Sequence, residues 1–483
     1  MTDEPAPQPR VLGLFGLAMI NIVAIASLRD LPQMASYGIG SIFFYLLAAV
    51  VFFIPVSLVA AELATAWPQR GGVYVWVREA FGLRTGFLAV FLQWFQNLCW
   101  FPVVLTFGAA SLAFALDPGR SAALAEEKGF IVAVVLVAYW GSVFLNFLGL
   151  SGSARICIVG GFAGVLVPGL VLVLLAAIGL ATGAPSNLLA NGDRLVPDLA
   201  RLDTLTFAVS VWLAFAGMEM TAAHAREVRR PQRSYPLAIL VSAVVILVVF
   251  TLGALSISTA LAPGEYQLQS GVTEALRTML ARHDLGGLAR IIALGMALGV
   301  FGSVNAWVVG PSKGLLASAE DGALPRWLCR VNRHQVPTRI LLLQGVVVSV
   351  ICLAFALQPT VQSAYFMISV LTIQMYLLMY VVMFLAALRL RRRHPERVGS
   401  FRVPGGLPGL AGVCGVGLLG ALFALGLGFF PPAQLKKAGI DPTSFVVFLG
   451  VGLLVGIAIP LVITLVRRRS TAGPDRPGTV PPG

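Results

Sequence analysis

The chain is 483 residues long, 58% hydrophobic and only 11% charged, with a formal net charge of +13 and a mean hydropathy of +0.88. Soluble domains carry about 25% charged residues, and no water-soluble core hides this much apolar surface, so the length does not divide into ordinary soluble domains. The basic excess is almost entirely arginine set between apolar stretches, with no nucleic-acid-binding motif, which excludes a nucleic-acid partner and leaves the charge as a topology signal.

Residues 1–10 carry Asp3 and Glu4 against Arg10 and are expected to form a cytoplasmic tail. Ala24-Ile25-Ala26 looks like a signal cleavage site, but the apolar run around it is longer than a signal h-region, so it is expected to stay as the first membrane span. A spanning helix needs about twenty mostly apolar residues. Such runs lie near 11–36, 41–66, 86–116, 129–149, 154–182 and 204–226, then near 236–262, 287–319, 338–357, 360–388, 405–428 and 444–466. The expected fold is an all-α polytopic membrane protein of about twelve transmembrane helices. Ten of them form a core over 11–390, two more cover 405–466, and a short disordered cytoplasmic tail, rich in Pro and Gly, covers 467–483. The longest external loops, about 183–203 and 263–286, are too short to fold alone.

Basic residues concentrate in the even-numbered loops, as in Arg226, Arg229, Arg230 and Arg233 and the run from Arg389 to Arg402. Both termini are therefore expected in the cytoplasm, with the bilayer a bacterial-type inner membrane. The five cysteines (Cys99, Cys157, Cys329, Cys352, Cys414) are scattered and never spaced as CxxC, so they point to packing and to neither a metal nor a disulfide framework. No catalytic grouping and no cofactor motif occurs, and the chain is not expected to be an enzyme. Gly71-Gly72 opens a stretch of alternating aromatic and β-branched residues with no Walker pattern, which suits a re-entrant or interfacial helix after the second span.

Two spans are interrupted. The first contains Ser27-Leu28-Arg29-Asp30-Leu31-Pro32, and the sixth contains Phe215-Ala216-Gly217-Met218-Glu219. Each opens a five-helix block if 11–182 and 204–390 are repeats, and broken helices at matching positions mark a ligand site between them. The broken ends expose backbone groups that hold a carboxylate or an amine without side-chain charge. Arg29 and Asp30 are the most informative pair, since a mid-membrane ionisable residue costs about 2.5–3.5 kcal/mol on insertion scales. Neighbours on a regular helix do not face each other, so they pair only if the backbone leaves the helix, as Pro32 favours. They serve either as a structural ion pair or in ligand binding and gating. Glu219 has four readings: a partner for Arg29, a group for a ligand amine, a proton acceptor, or a cap on the second half-helix. Asp30 and Glu219 are the proton-coupling candidates. Asn97 in span three is a weaker polar candidate for ligand binding, since interhelical hydrogen bonding is the usual role of such residues, and Asn305, near Trp307 in span eight, is a further binding candidate. Glu62, near the cytoplasmic end of span two, is expected to hold a structural partner.

The stretch from Ala61 to Trp76, AELATAWPQRGGVYVW, resembles the helix 2 and loop signature of the amino acid–polyamine–organocation superfamily. Phe215 to Glu219, followed by Arg230-Pro231-Gln232-Arg233-Ser234-Tyr235-Pro236, resembles its broken sixth helix and the loop beyond. Trp307 to Gly314, WVVGPSKG, is similar to the eighth helix of the bacterial glutamate/γ-aminobutyrate antiporter branch. The likeness runs over roughly 11–466. It implies a five-plus-five inverted repeat of the LeuT-like kind with two added helices, alternating access to a central site, and Trp307 as a wall of that site, with a packing tryptophan as the alternative. It also implies amino acids or related amines as substrates, moved by exchange or with protons. The chain departs from the acid-resistance antiporters in having little sequence after Arg469, and from some proton-coupled relatives in lacking a lysine over 156–182. The rival readings are a polyamine or cationic amine transporter and a membrane sensor on the same scaffold. The lack of a soluble signalling domain weighs against the sensor.

Overall fold

The computed structural model describes residues 13–69, 71–148, 159–189, 194–199, 205–219, 231–262, 264–431 and 441–471. The expected tail 1–10, residues 472–483 of the expected tail 467–483, the second stretch of span six after Glu219 and the arginines 226–230 lie outside these residues, while 467–471 continue the last helix. Among the described residues the fold is all-helical. Nine helices among the described residues are long and apolar enough to cross a bilayer.

In chain order the first span is α1 (Leu14–Ile25) and the short α2 (Leu31–Ala35). Helix α3 covers Gly40–Ala66, α4 Val73–Phe81 and α5 Leu83–Leu116. Helices α6 (Ser121–Glu126), α7 (Lys128–Phe147) and α8 (Val159–Ala181) follow. The sixth span is present as α9 (Ser210–Ala214) after a 3-10 turn. Then come α10 (Pro231–Ala260), α11 (Gly271–Ala281), α12 (Gly286–Glu320) and α13 (Thr338–Ala356). The series ends with α14 (Val361–Arg393), α15 (Gly406–Leu427) and α16 (Pro442–Thr471). Apart from the sixth span, of which 220–226 lie outside the described residues, the bounds of the spans fall within about five residues of the sequence expectations, because apolar run length reports directly on the hydrocarbon thickness to be crossed.

Helix α5 is the central post. It packs on α12, α14, α13 and α7, and 83% of its most apolar stretch is buried, against 17% for α16. At 34 residues it is about 50 Å long, well beyond the roughly 30 Å of hydrocarbon. The outer helices carry exposed apolar stripes at helical spacing, such as Leu170, Leu174 and Ile178 on α8 and Leu240, Val244 and Val248 on α10. A stripe of this kind is unfavourable in water and suits lipid tails.

The loop after α3 holds a short helix where Gly71-Gly72 led one to be expected. Gly72 has φ +51, which only glycine adopts without strain, and it turns the chain into α4. Tyr74 then donates to Asp321 at 2.6 Å, and Arg78 pairs with the same carboxylate. Glu62 holds the structural partner expected of it. Arg391 Nε lies 3.1 Å from its carboxylate, and the Val403 N–H donates to it at 2.7 Å.

Candidate functional site

The first break is a backbone event before it is a chemical one. Helix α1 ends as Ala26 turns extended (φ −63, ψ 121), and Ser27 continues extended (φ −141, ψ 136). Ser27 Oγ accepts from Arg29 N at 3.3 Å, and a 3-10 turn over Leu28–Asp30 leads into α2, where Pro32 takes a first-turn position that needs no donor. The turn swings the two neighbouring side chains together: Arg29 Nη2 donates to Asp30 Oδ2 at 2.8 Å, and both residues are buried. Other elements bind the carbonyls left over by the break. Tyr365 donates to Arg29 O at 3.4 Å, Tyr266 to Pro32 O at 2.9 Å and Ser258 to Ala35 O at 2.8 Å.

The second break follows α9. Phe215 leaves the helix, and Gly217 takes φ +117. The Gly217 N–H donates to the Tyr380 hydroxyl at 2.8 Å, and that hydroxyl donates onward to Glu219 Oε2 at 2.6 Å. Tyr376 donates to the other oxygen of Glu219, which also accepts from Gln93 Nε2 at 3.0 Å. Glu219 is thus tied to α5 and α14 by three donors.

Between the breaks lies a cavity of ≈ 70 Å³, measured for the centres of water-sized spheres. Residues 25–30 and part of 213–216 form one side. Helices α5, α8, α12 and α14 close the rest with Gln96, Asn97, Gly164, Ser303, Trp307 and Tyr376 among others. The α8 wall contains a π-helical turn over Phe162–Leu166, a departure that often accompanies functional sites. There the backbones of α8 and α12 touch: a Cβ on Gly299 would stand 2.5 Å from Gly164 Cα and 2.6 Å from Gly160 O.

Seven of the sequence candidates line this cavity: Ser27, Leu28, Arg29, Asp30, Asn97, Ala216 and Trp307. The other five stand behind it. Gly217 sits against the Trp307 ring edge. Phe215 is fully buried and stacks on Phe53 at 4.9 Å, so its ring packs in the core. Met218 is buried beside the break. Asn305 accepts from Asn146 at 2.9 Å, an interhelical bond to α7. Glu219 binds Gln93, Tyr376 and Tyr380, and the carboxylate paired with Arg29 is Asp30. Asn97 lines the cavity while donating to Gln93 O at 3.1 Å within its own helix. Sequence reasoning missed Gln93, Gln96, Trp100, Ser303, Tyr376 and Tyr380. Gln93, Gln96 and Asn97 form one polar group in a long apolar helix, and that was the available signal.

The amino acid permease family profile matches residues 12–456 of the chain. An uncharacterized transporter of Legionella pneumophila is 39% identical over 451 residues, 93% of this chain and 96% of that one. A glutamate/γ-aminobutyrate antiporter of Lactococcus lactis is 30% identical over 457 residues, 94% of this chain and 90% of that one. A probable agmatine/putrescine antiporter of the same species is 24% identical over 398 residues, 80% and 81% of the two chains. With a match over almost its whole length and a cavity between two broken helices, this multi-pass membrane protein belongs to the amino acid permease family, whose members are transporters and not enzymes.

Proposed function

We propose that this protein is a secondary transporter that exchanges amino acids or close derivatives across a bacterial-type inner membrane by alternating access. One observation carries the reading: both helix breaks, 190 residues apart in the sequence by the numbering of Arg29 and Glu219, flank one cavity that also reaches α5, α8, α12 and α14. A ligand held there touches elements of both halves, so their relative movement can expose it first on one side and then on the other. The proposed arrangement has twelve spans, with both termini cytoplasmic. Two five-helix repeats would cover about 11–182 and 204–390, with the added pair of helices over 405–466. Matching pairs of contacts support the repeat: α5 packs on α14, α13 and α7 as α12 packs on α8, α7 and α13. The proposed ligand contacts are the seven sequence candidates that line the cavity, with Asp30 and Glu219 as the groups that carry a coupled proton.

The relatives that move glutamate, γ-aminobutyrate or, by name, agmatine and putrescine make an amine the second reading. Asp30, a buried carboxylate in the cavity wall, favours it. Counterflow in proteoliposomes tests both. Vesicles preloaded with single amino acids or amines should accumulate a labelled amino acid from outside. Failure of every amino acid, with robust counterflow of diamines, would replace the first reading by the second.

A further inference from the structure

Only one of the three nitrogens of the Arg29 guanidinium is used among the described residues. Its Nη2 binds Asp30, while Nε and Nη1 are buried and have no acceptor among the described residues. The residue is 3% exposed and lines the cavity. A buried guanidinium with unmet donors is costly, and a fold retains one where a ligand completes it. Its five N–H groups in a planar fork suit an oxyanion, above all a carboxylate. Two further polar groups in the cavity wall are also unused. Gln96, buried on α5, and Ser303 on α12 make no hydrogen bond with the described residues. A cavity with two unmet arginine nitrogens, and with an amide and a hydroxyl that have no hydrogen-bond partner among the described residues, is built for a polar occupant.

We propose that Arg29 is the residue that reads the substrate's carboxylate, so that the transporter takes carboxylate-bearing amino acids and rejects the corresponding decarboxylated amines. The inference rests on the cavity being the transport site proposed above. Asp30 keeps the guanidinium in place and offsets its charge when the site is empty. A carboxylate then meets the free nitrogens, while an amine meets a cation. Gln96 lies on the facing helix and acts on the rest of the ligand, so it selects among amino acids and not between acid and amine.

The test is competition in proteoliposomes of the full chain, with matched pairs: arginine against agmatine, leucine against isopentylamine, phenylalanine against phenethylamine. In parallel, thermal shifts of the purified protein are measured with the same compounds. The parent should bind each carboxylate about tenfold or more tightly than its partner lacking it, as a charged hydrogen bond is lost. Arg29→Gln combined with Asp30→Asn leaves no buried charge alone, and it should bring that ratio close to one. Arg29→Lys keeps the charge without the fork and should give an intermediate ratio. Gln96→Leu should reorder the amino acids and keep the ratio within each pair. A parent that binds agmatine as tightly as arginine overturns the proposal whatever the variants do. A double variant that still exchanges and keeps the parental ratio overturns it too. A parent that exchanges amino acids but shows no carboxylate preference leaves the transport reading standing, whereas a parent that exchanges none of these compounds removes both.

Discussion

Gly217 lies edge-on to Trp307: a Cβ built on the glycine would stand 3.2 Å from Trp307 Cη2 and 3.3 Å from Cζ2. Ile25, the last residue of α1, closes the same contact at 3.8 Å. The two breaks and the tryptophan wall therefore meet at one point, with no room for a side chain. Gly217 also sits at φ +117, a backbone state that costs other residues about 1–3 kcal/mol. Gly217→Leu should abolish exchange while insertion in the membrane persists. Exchange at the parental rate by a monodisperse Gly217→Leu preparation would show that the breaks do not frame the transport site.

Trp307 faces the cavity and has Trp100 5.7 Å away, ring centroid to centroid. Its indole supplies shape and stacking area to an occupant. Trp307→Ala should weaken substrate binding by about 1–3 kcal/mol, the scale of a lost aromatic contact, with a smaller effect on the amount of folded protein. A fall in thermal stability with unchanged substrate affinity would assign the ring to packing alone.

Asp30 is the carboxylate that pairs with Arg29. Asp30→Asn keeps the size and leaves a buried guanidinium uncompensated, a change that typically costs about 3–5 kcal/mol. If Asp30 carries the coupled proton, the variant should lose pH-driven accumulation and keep exchange between preloaded pools. If the pair is structural, both activities fall together. Unaltered pH-driven accumulation would eliminate Asp30 as the proton carrier and direct the same experiment to Glu219→Gln.

The glycine contact between α8 and α12 holds the cavity wall at backbone distance. Gly299→Val would push a branched side chain into Gly164 Cα and Gly160 O. Backbone cannot yield as a flexible side chain does, so a loss of about 1–3 kcal/mol is expected, the usual cost of overpacking. Thermal unfolding in detergent should show it as a lower midpoint. An unchanged midpoint would mean that the two helices part easily at this seam.

Outside the spans, burial holds the Glu126 carboxyl above the usual carboxylate range, against the lowering effect of the Gln269 amide and the Val361 N–H. The Gln269 bond is 2.7 Å long. The fold thus holds this proton more tightly than the unfolded chain does. Its contribution is fully present below the ordinary value, about 4.3, and is lost as pH rises through the raised one. Glu126→Gln, neutral at every pH, should match the parent's melting temperature in acid and exceed it at neutral pH. A lower melting temperature at neutral pH would show that the ionised carboxylate supports the fold.

Hydropathy was enough to read the membrane class, most of the span limits and the two interruptions, because these follow from local transfer energies and from Pro32 and Gly217 acting on their own backbone. The Arg29–Asp30 pair was legible for the same reason, since it needs only a short turn to form. The partners of Glu219 were not. Tyr380 stands 161 residues away, and whether Glu219 meets Arg29 or two tyrosines depends on how α14 docks against the second break. The inner faces of α5 and α12 were equally hidden. Gln96 and Ser303 turn to the cavity, while Asn305, two residues on, turns to Asn146. In a helix flanked by lipid on one side and apolar side chains on the other, hydropathy does not distinguish the faces. Only close packing between helices decides which polar group is left without a partner beside the cavity.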